Sequence, residues 1–116
     1  MKDLTPQEIE YLGERRLARL ATVGKDGVPH ITPVGMWKYD ATSGTIEVSG
    51  HDFAGTKKFR DVQLTHRAAI VVDDLVSTDP WRPRGIEIRG HAQAEGGEAP
   101  LIRIHPDRVV AWGLDG

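Results

Sequence analysis

Cysteine is absent from the 116 residues, which excludes disulfides, thiolate nucleophiles and cysteine-ligated zinc and suits a reducing cytoplasm. Long apolar runs are absent too. The longest uninterrupted aliphatic stretch, Ala68 to Val72, is too short to span a bilayer or to form a signal-peptide core. There is no excess of basic charge. A net charge of -2 and a pI of about 6.2 leave no field to hold nucleic acid or an anionic membrane. The expectation is a soluble, cytoplasmic protein with neither of those partners.

Several catalytic signatures are also missing. His30, His51, His66, His91 and His105 form no HExxH or HxH pattern, so no metal site is expected. Ser43, Ser49 and Ser77 lack a nucleophile elbow, Ser49 lying in Glu47-Val48-Ser49-Gly50 rather than GxSxG. The glycines make neither GxGxxG nor a Walker loop, which removes Rossmann and P-loop nucleotide binding.

What is present reads as one domain over residues 1–116, short enough that pairing with a second copy helps to complete its buried surface. Thr5, Pro6 and Glu8 form a helix start with a capping box, and Gly13 is placed to end that helix. Arg16 to Val23 alternates as a strand with both faces partly covered, and Gly24-Lys25-Asp26-Gly27 turns it into a hairpin over Leu17 to Tyr39. His30, Thr32 and Val34 fall on one face, Ile31 and Pro33 on the other. Asp40 to Gly44 is a second turn, Thr45 to Gly50 a strand and Ala54 to Leu64 a short helix. Strands are expected over Ala68 to Asp74, Ile86 to Ala94 and, interrupted at Pro106, Ile102 to Trp112. Asp79 to Gly85 is too rich in proline for a strand and reads as a loop. About six strands with regular turns make a mainly β chain of barrel type.

Lys57, Lys58 and Arg60 cluster beside Gly55 at a helix start, where cationic side chains and free backbone N–H groups suit a phosphate. Composition alone favours a solvated basic helix face. The order of motifs carries more. Arg19-Leu20-Ala21-Thr22, the turn Asp26-Gly27, Pro29-His30-Ile31-Thr32-Pro33-Val34, Val48-Ser49-Gly50 and Lys58-Phe59-Arg60-Asp61-Val62 follow one another in that sequence. In this order they resemble the pyridoxamine 5′-phosphate oxidase-like superfamily, and in particular its actinobacterial branch that uses coenzyme F420. Ile102 to Leu114 is similar to the closing strand of that F420-dependent subgroup, so the resemblance covers roughly 100 of the 116 residues. His66 departs from it, standing where many relatives have proline. Glu95 to Pro100 is shorter than expected between the flanking strands.

The resemblance implies a split β-barrel of about six strands with short helices, acting as an F420-dependent oxidoreductase that moves a hydride between the deazaflavin and a small organic substrate. FMN is the alternative cofactor, as an oxidase or flavin reductase. A carrier of cofactor or haem without turnover is a further alternative. Lys58 matches the family's phosphate-contacting lysine; Thr56, Lys57 and Arg60 accompany it. Pro33, Val34, Gly35, Ser49 and Gly50 offer small residues and backbone to a flat ring. The implied assembly is a homodimer with the pocket at the subunit interface, where Trp112 covers the partner's cofactor or, equally, closes its own barrel. No catalytic acid is carried over, although His51, Asp52 and Tyr39 stand near the proposed site in sequence. Trp81, in the loop Asp79 to Gly85, is expected at the substrate opening or the dimer seam, with simple packing on the barrel as the alternative.

Overall fold

Thr5 opens the first helix as its capping box predicts. Its amide donates to Glu8 Oε1 at 2.8 Å and its Oγ1 accepts from the Glu8 amide at 3.2 Å. Helix α1 (Pro6–Glu14) runs one residue past Gly13, which therefore does not end it. The computed structural model describes residues 1–14 and 17–115; the expected strand start at Arg16 lies outside them.

Seven strands follow, one more than the sequence suggests: β1 (Ala18–Val23), β2 (Pro29–Val34), β3 (Trp37–Asp40), β4 (Thr45–Val48), β5 (Arg67–Thr78), β6 (Trp81–Glu95) and β7 (Leu101–Trp112). The extra one arises because Gly35 and Met36 divide the second half of the predicted hairpin. β2 pairs with β1, whereas β3 pairs with β4. The sheet is antiparallel in the order β2-β1-β5-β6-β7-β4-β3, so β2 and β3 are its opposite edges. A flat seven-stranded sheet would separate those edges by roughly 29 Å. Only Gly35 and Met36 join them, a link that reaches about 10 Å. The sheet must therefore curl until its edges meet at that end, and the result is a mainly β split barrel.

The curled face holds the core. Leu20, Ile46, Ile86, Ile88, Ile102 and Ile104 are all nearly inaccessible, and they alternate with outward residues along their strands. β1 buries Ala18, Leu20 and Thr22 on one face, while on the other Ala21 and Val23 are half-buried and Arg19 is exposed, so both faces are partly covered as expected.

Two proline readings are corrected. Most of the expected loop Asp79 to Gly85 is strand, because β5 and β6 continue pairing out to Thr78 and Trp81 as a projecting arm. β7 pairs with β6 only as far as Gly85, so Pro83 lies where one edge of β6 is open and its missing N–H breaks no ladder. Pro106 likewise does not interrupt β7. It pairs opposite Gly90 at a bulge, beyond the point where β4 stops opposite Ile104. A Cβ at Gly90 would overlap the His105 carbonyl, so only glycine permits this approach. No helix among the described residues is long and apolar enough to cross a membrane.

Candidate functional site

The chain after β4 makes a single 3₁₀ turn, Phe53–Gly55, before helix α2 (Lys57–Thr65). The helix thus starts at Lys57 rather than at Ala54. Thr56 caps it, accepting from the Phe59 amide at 3.3 Å and donating to the Phe53 carbonyl at 2.7 Å. With Phe59 capped and the Arg60 amide bonded to the Thr56 carbonyl, the Lys57 and Lys58 amides are the first-turn donors left without an intrahelical acceptor. At the far end His66 adopts a left-handed conformation, φ 57°, and returns its amide to the Val62 carbonyl at 2.9 Å, so the helix ends cleanly without a proline there.

The two lysines diverge. Lys57 Nζ reaches Asp61, one turn on, at 2.9 and 3.0 Å from its two oxygens, and Thr22 Oγ1 donates to Asp61 Oδ2 at 3.0 Å. Burial raises the Asp61 pKa, but the hydrogen bonds from Lys57 and Thr22 and the Lys57 charge outweigh it, leaving the carboxyl below its ordinary 3.8. Lys57 is in this way tied to the barrel wall. Lys58, in the first turn of the helix, instead has its ammonium over the Phe53 ring, 5.8 Å from its centroid. Arg60 turns back to the Gly55 carbonyl at 2.8 Å and is exposed.

Several of the expected site residues meet along one rim. The Ser49 amide donates to the Met36 carbonyl at 2.8 Å, which brings the Gly35–Met36 link against the end of β4. Gly50 lies on the Phe53 ring, where a Cβ would come within 3.3 Å of it. The ring then leads to Lys58, and the Phe53 carbonyl to Thr56. Beside this arc a cavity of about 560 Å³ is lined by Met36, Trp37, Ser49 and Gly50 on one side and by Glu98 and Pro100 on the other. Its Glu47 wall is fixed by Arg103, which bonds Glu47 at 3.2 Å, Glu95 at 2.8 Å and Thr45 at 2.9 Å. The Glu95 hydrogen bond, with the charges of Glu95 and Glu47, outweighs burial and raises the Arg103 pKa above its usual range.

Other residues fall elsewhere. Pro33 is exposed on the outer face opposite Arg19, and Val34 is buried opposite Ala18, so these two frame the link without entering the cavity. Thr32 to Val34 belong to β2, which pairs with β1 and not with β4, and Met36 meets the Val48 to Gly50 segment through the Ser49 bond. Trp112 is ten positions along β7 from Ile102, the partner of Val48, or roughly 30 Å. It lines a crevice with Thr5 and Glu8 and does not join the arc within one chain. His51 and Asp52 are exposed, Asp52 with φ 47°, while Tyr39 packs against the core. Phe53 and Met36 escaped the sequence reading. A one-turn 3₁₀ segment and a two-residue link carry no periodicity that would single them out.

A family model described as pyridoxamine 5′-phosphate oxidase matches residues 4–112. A 5a,11a-dehydrotetracycline/5a,11a-dehydrooxytetracycline reductase of Streptomyces rimosus is 44% identical over 121 residues, covering 97% of this chain and 84% of its own. Among solved structures, the conserved hypothetical protein Rv2991 of Mycobacterium tuberculosis superposes with a TM-score of 0.76 at 19% identity, covering 98% of this chain and 91% of its own. HutZ, the haem storage protein of Vibrio cholerae, superposes with a TM-score of 0.68 at 13% identity over 94% of each chain. These two likenesses establish the shared fold alone.

Proposed function

The chain belongs to the pyridoxamine 5′-phosphate oxidase family, and on that premise we propose that it is an F420-dependent reductase of a small organic substrate. The observation that carries this reading is the extensive identity to a reductase named for dehydrotetracycline substrates. The substrate class inferred from it is a polycyclic compound with a reducible double bond. The cavity beside Met36, Trp37 and Pro100 supports that choice, since it sets apolar walls next to the cofactor rim.

Residues along the arc fit a phosphate-bearing flat ring. Lys58 brings one cationic donor to a helix start whose first two amides have no intrahelical acceptor, so charge and backbone dipoles act on the same oxygens. Thr56 orders that start. Gly35, Ser49 and Gly50 give the ring backbone at close range, and Arg60 adds positive field at the exposed side. When bound, the deazaflavin supplies the hydride. The chain's part is to position the two reactants and exclude water. In this reading the unit is a homodimer, and Trp112 of the partner subunit closes the pocket that a single chain leaves open.

Mixing the purified protein separately with F420, FMN and haem and measuring binding tests the reading. F420 is expected to bind most tightly. Retention of FMN or haem with no affinity for F420 refutes it.

A further inference from the structure

We propose a second ligand site on the outer face of the sheet, a groove that takes a planar aromatic carboxylate. The groove has a volume of about 410 Å³ and lies across β1, β5, β6 and β7. Its lining includes the small or flat apolar residues Ala21, Val23, Pro29 and Ala69, together with Arg67, Arg89 and Arg108. Small side chains on neighbouring strands make a level apolar floor, which suits a flat ring better than a branched chain.

The cationic rim is energetically odd. Arg89 and Arg108 are direct cross-strand partners, and Arg67 is the diagonal neighbour of Arg89 through the Ala69–Arg89 and Arg67–His91 pairs. Like charges set opposite each other on a sheet are destabilising. Little on the protein offsets them. Glu87 reaches Arg89 at 3.2 Å, and Asp107, the one carboxylate in the lining, is bonded to the His91 amide at 2.9 Å and Nδ1 at 3.0 Å. Among the described residues neither Arg67 nor Arg108 has a hydrogen-bond or ion-pair partner. A carboxylate bridging the guanidinium groups would supply the missing counter-charge through forked hydrogen bonds while its ring covers the alanine floor.

The site is separate from the Lys58 arc, which lies at the start of α2 rather than on the outer sheet face. The test uses the intact 116-residue chain with 2-naphthoate as the probe and neutral 2-naphthamide as its control, measured by isothermal titration and by thermal melting. Naphthoate is expected to bind at least tenfold tighter than the amide and to raise the melting temperature. The double variant R67A/R108A is expected to lose that tenfold preference, to melt higher than the parent without ligand at low salt, and to gain nothing from naphthoate. K58A should bind naphthoate as the parent does. Equal affinity for acid and amide, or a preference that survives R67A/R108A, overturns the proposal. So does a loss of naphthoate binding in K58A. If the parent binds no naphthoate and R67A/R108A changes its sedimentation from dimer to monomer, the groove is a contact between copies, and the proposal fails.

Discussion

Adjacent lysines on α2 should fail in opposite ways when removed. Lys57→Ala deletes both Lys57 contacts to Asp61, whose side chain is 6% exposed, and leaves that carboxylate with the Thr22 hydroxyl. Breaking a fully buried pair costs about 3–5 kcal/mol. Lys57 is itself 50% exposed, so solvent screens the pair and the expected cost falls to about 1–2 kcal/mol, or about 5–10 °C in melting temperature. The pH dependence has a definite sign. Because the folded Asp61 pKa lies below its ordinary 3.8, the contribution is complete above that value and is lost as pH falls through the folded pKa. The gap between parent and K57A should therefore close in acid. Lys58→Ala, which removes only a ring contact and a charge at the helix start, should leave melting unchanged. In this reading it weakens F420 binding by about 1.5–3 kcal/mol, roughly 10- to 150-fold. Melting curves from pH 3 to 8 and F420 titrations at fixed salt on both variants decide the matter. Equal losses of affinity with no change in melting would refute the division of roles.

Ile104→Ala, at a fully buried position, should cost about 2–5 kcal/mol in a denaturant titration. His105 is held below its ordinary 6.5 by burial and by the charges of neighbouring His91 and Arg103; an NMR titration of its ring should give a pKa below that value. Its share of stability should fall as pH drops from about 6.5 towards that depressed pKa, since the unfolded chain takes up the proton first. Sedimentation at micromolar concentration should give a dimer; a monomer with a filled cofactor site would remove the shared pocket. Trp81 is 68% exposed on the projecting arm, and its fluorescence should change on dilution through the dimer equilibrium if the arm lies at the seam.

Legibility in the sequence followed the range of the forces involved. The α1 capping box and the alternation in β5 and β6 are local, and each appears where its residues predict. Proline was misleading at Pro83 and Pro106, because what decides its tolerance is whether a neighbouring strand reaches that point, a fact of sheet order. Near the proposed site, a helix after Gly55 was legible, but its start at Lys57 and its cap at Thr56 were not. The tie between Lys57 and Asp61 fits helical spacing, but the burial that makes it matter depends on Thr22, 39 residues away. Phe53 became visible only once its ring lay between Gly50 and Lys58.

The two-residue link between the barrel's edges has a kinetic consequence. β2 and β3 are sequence neighbours yet occupy opposite margins, so neither hairpin reaches its final place until β5, β6 and β7 have bridged the distance. Most of the ladder lies in hairpins of consecutive strands, but the two pairings that close the barrel, β1 with β5 and β4 with β7, join residues far apart in the chain, and their loop entropy is met together. Refolding should be a single slow, cooperative phase. Lengthening the link at Gly35 with a few glycines should uncouple the margins and leave a barrel that opens at its mouth before it unfolds.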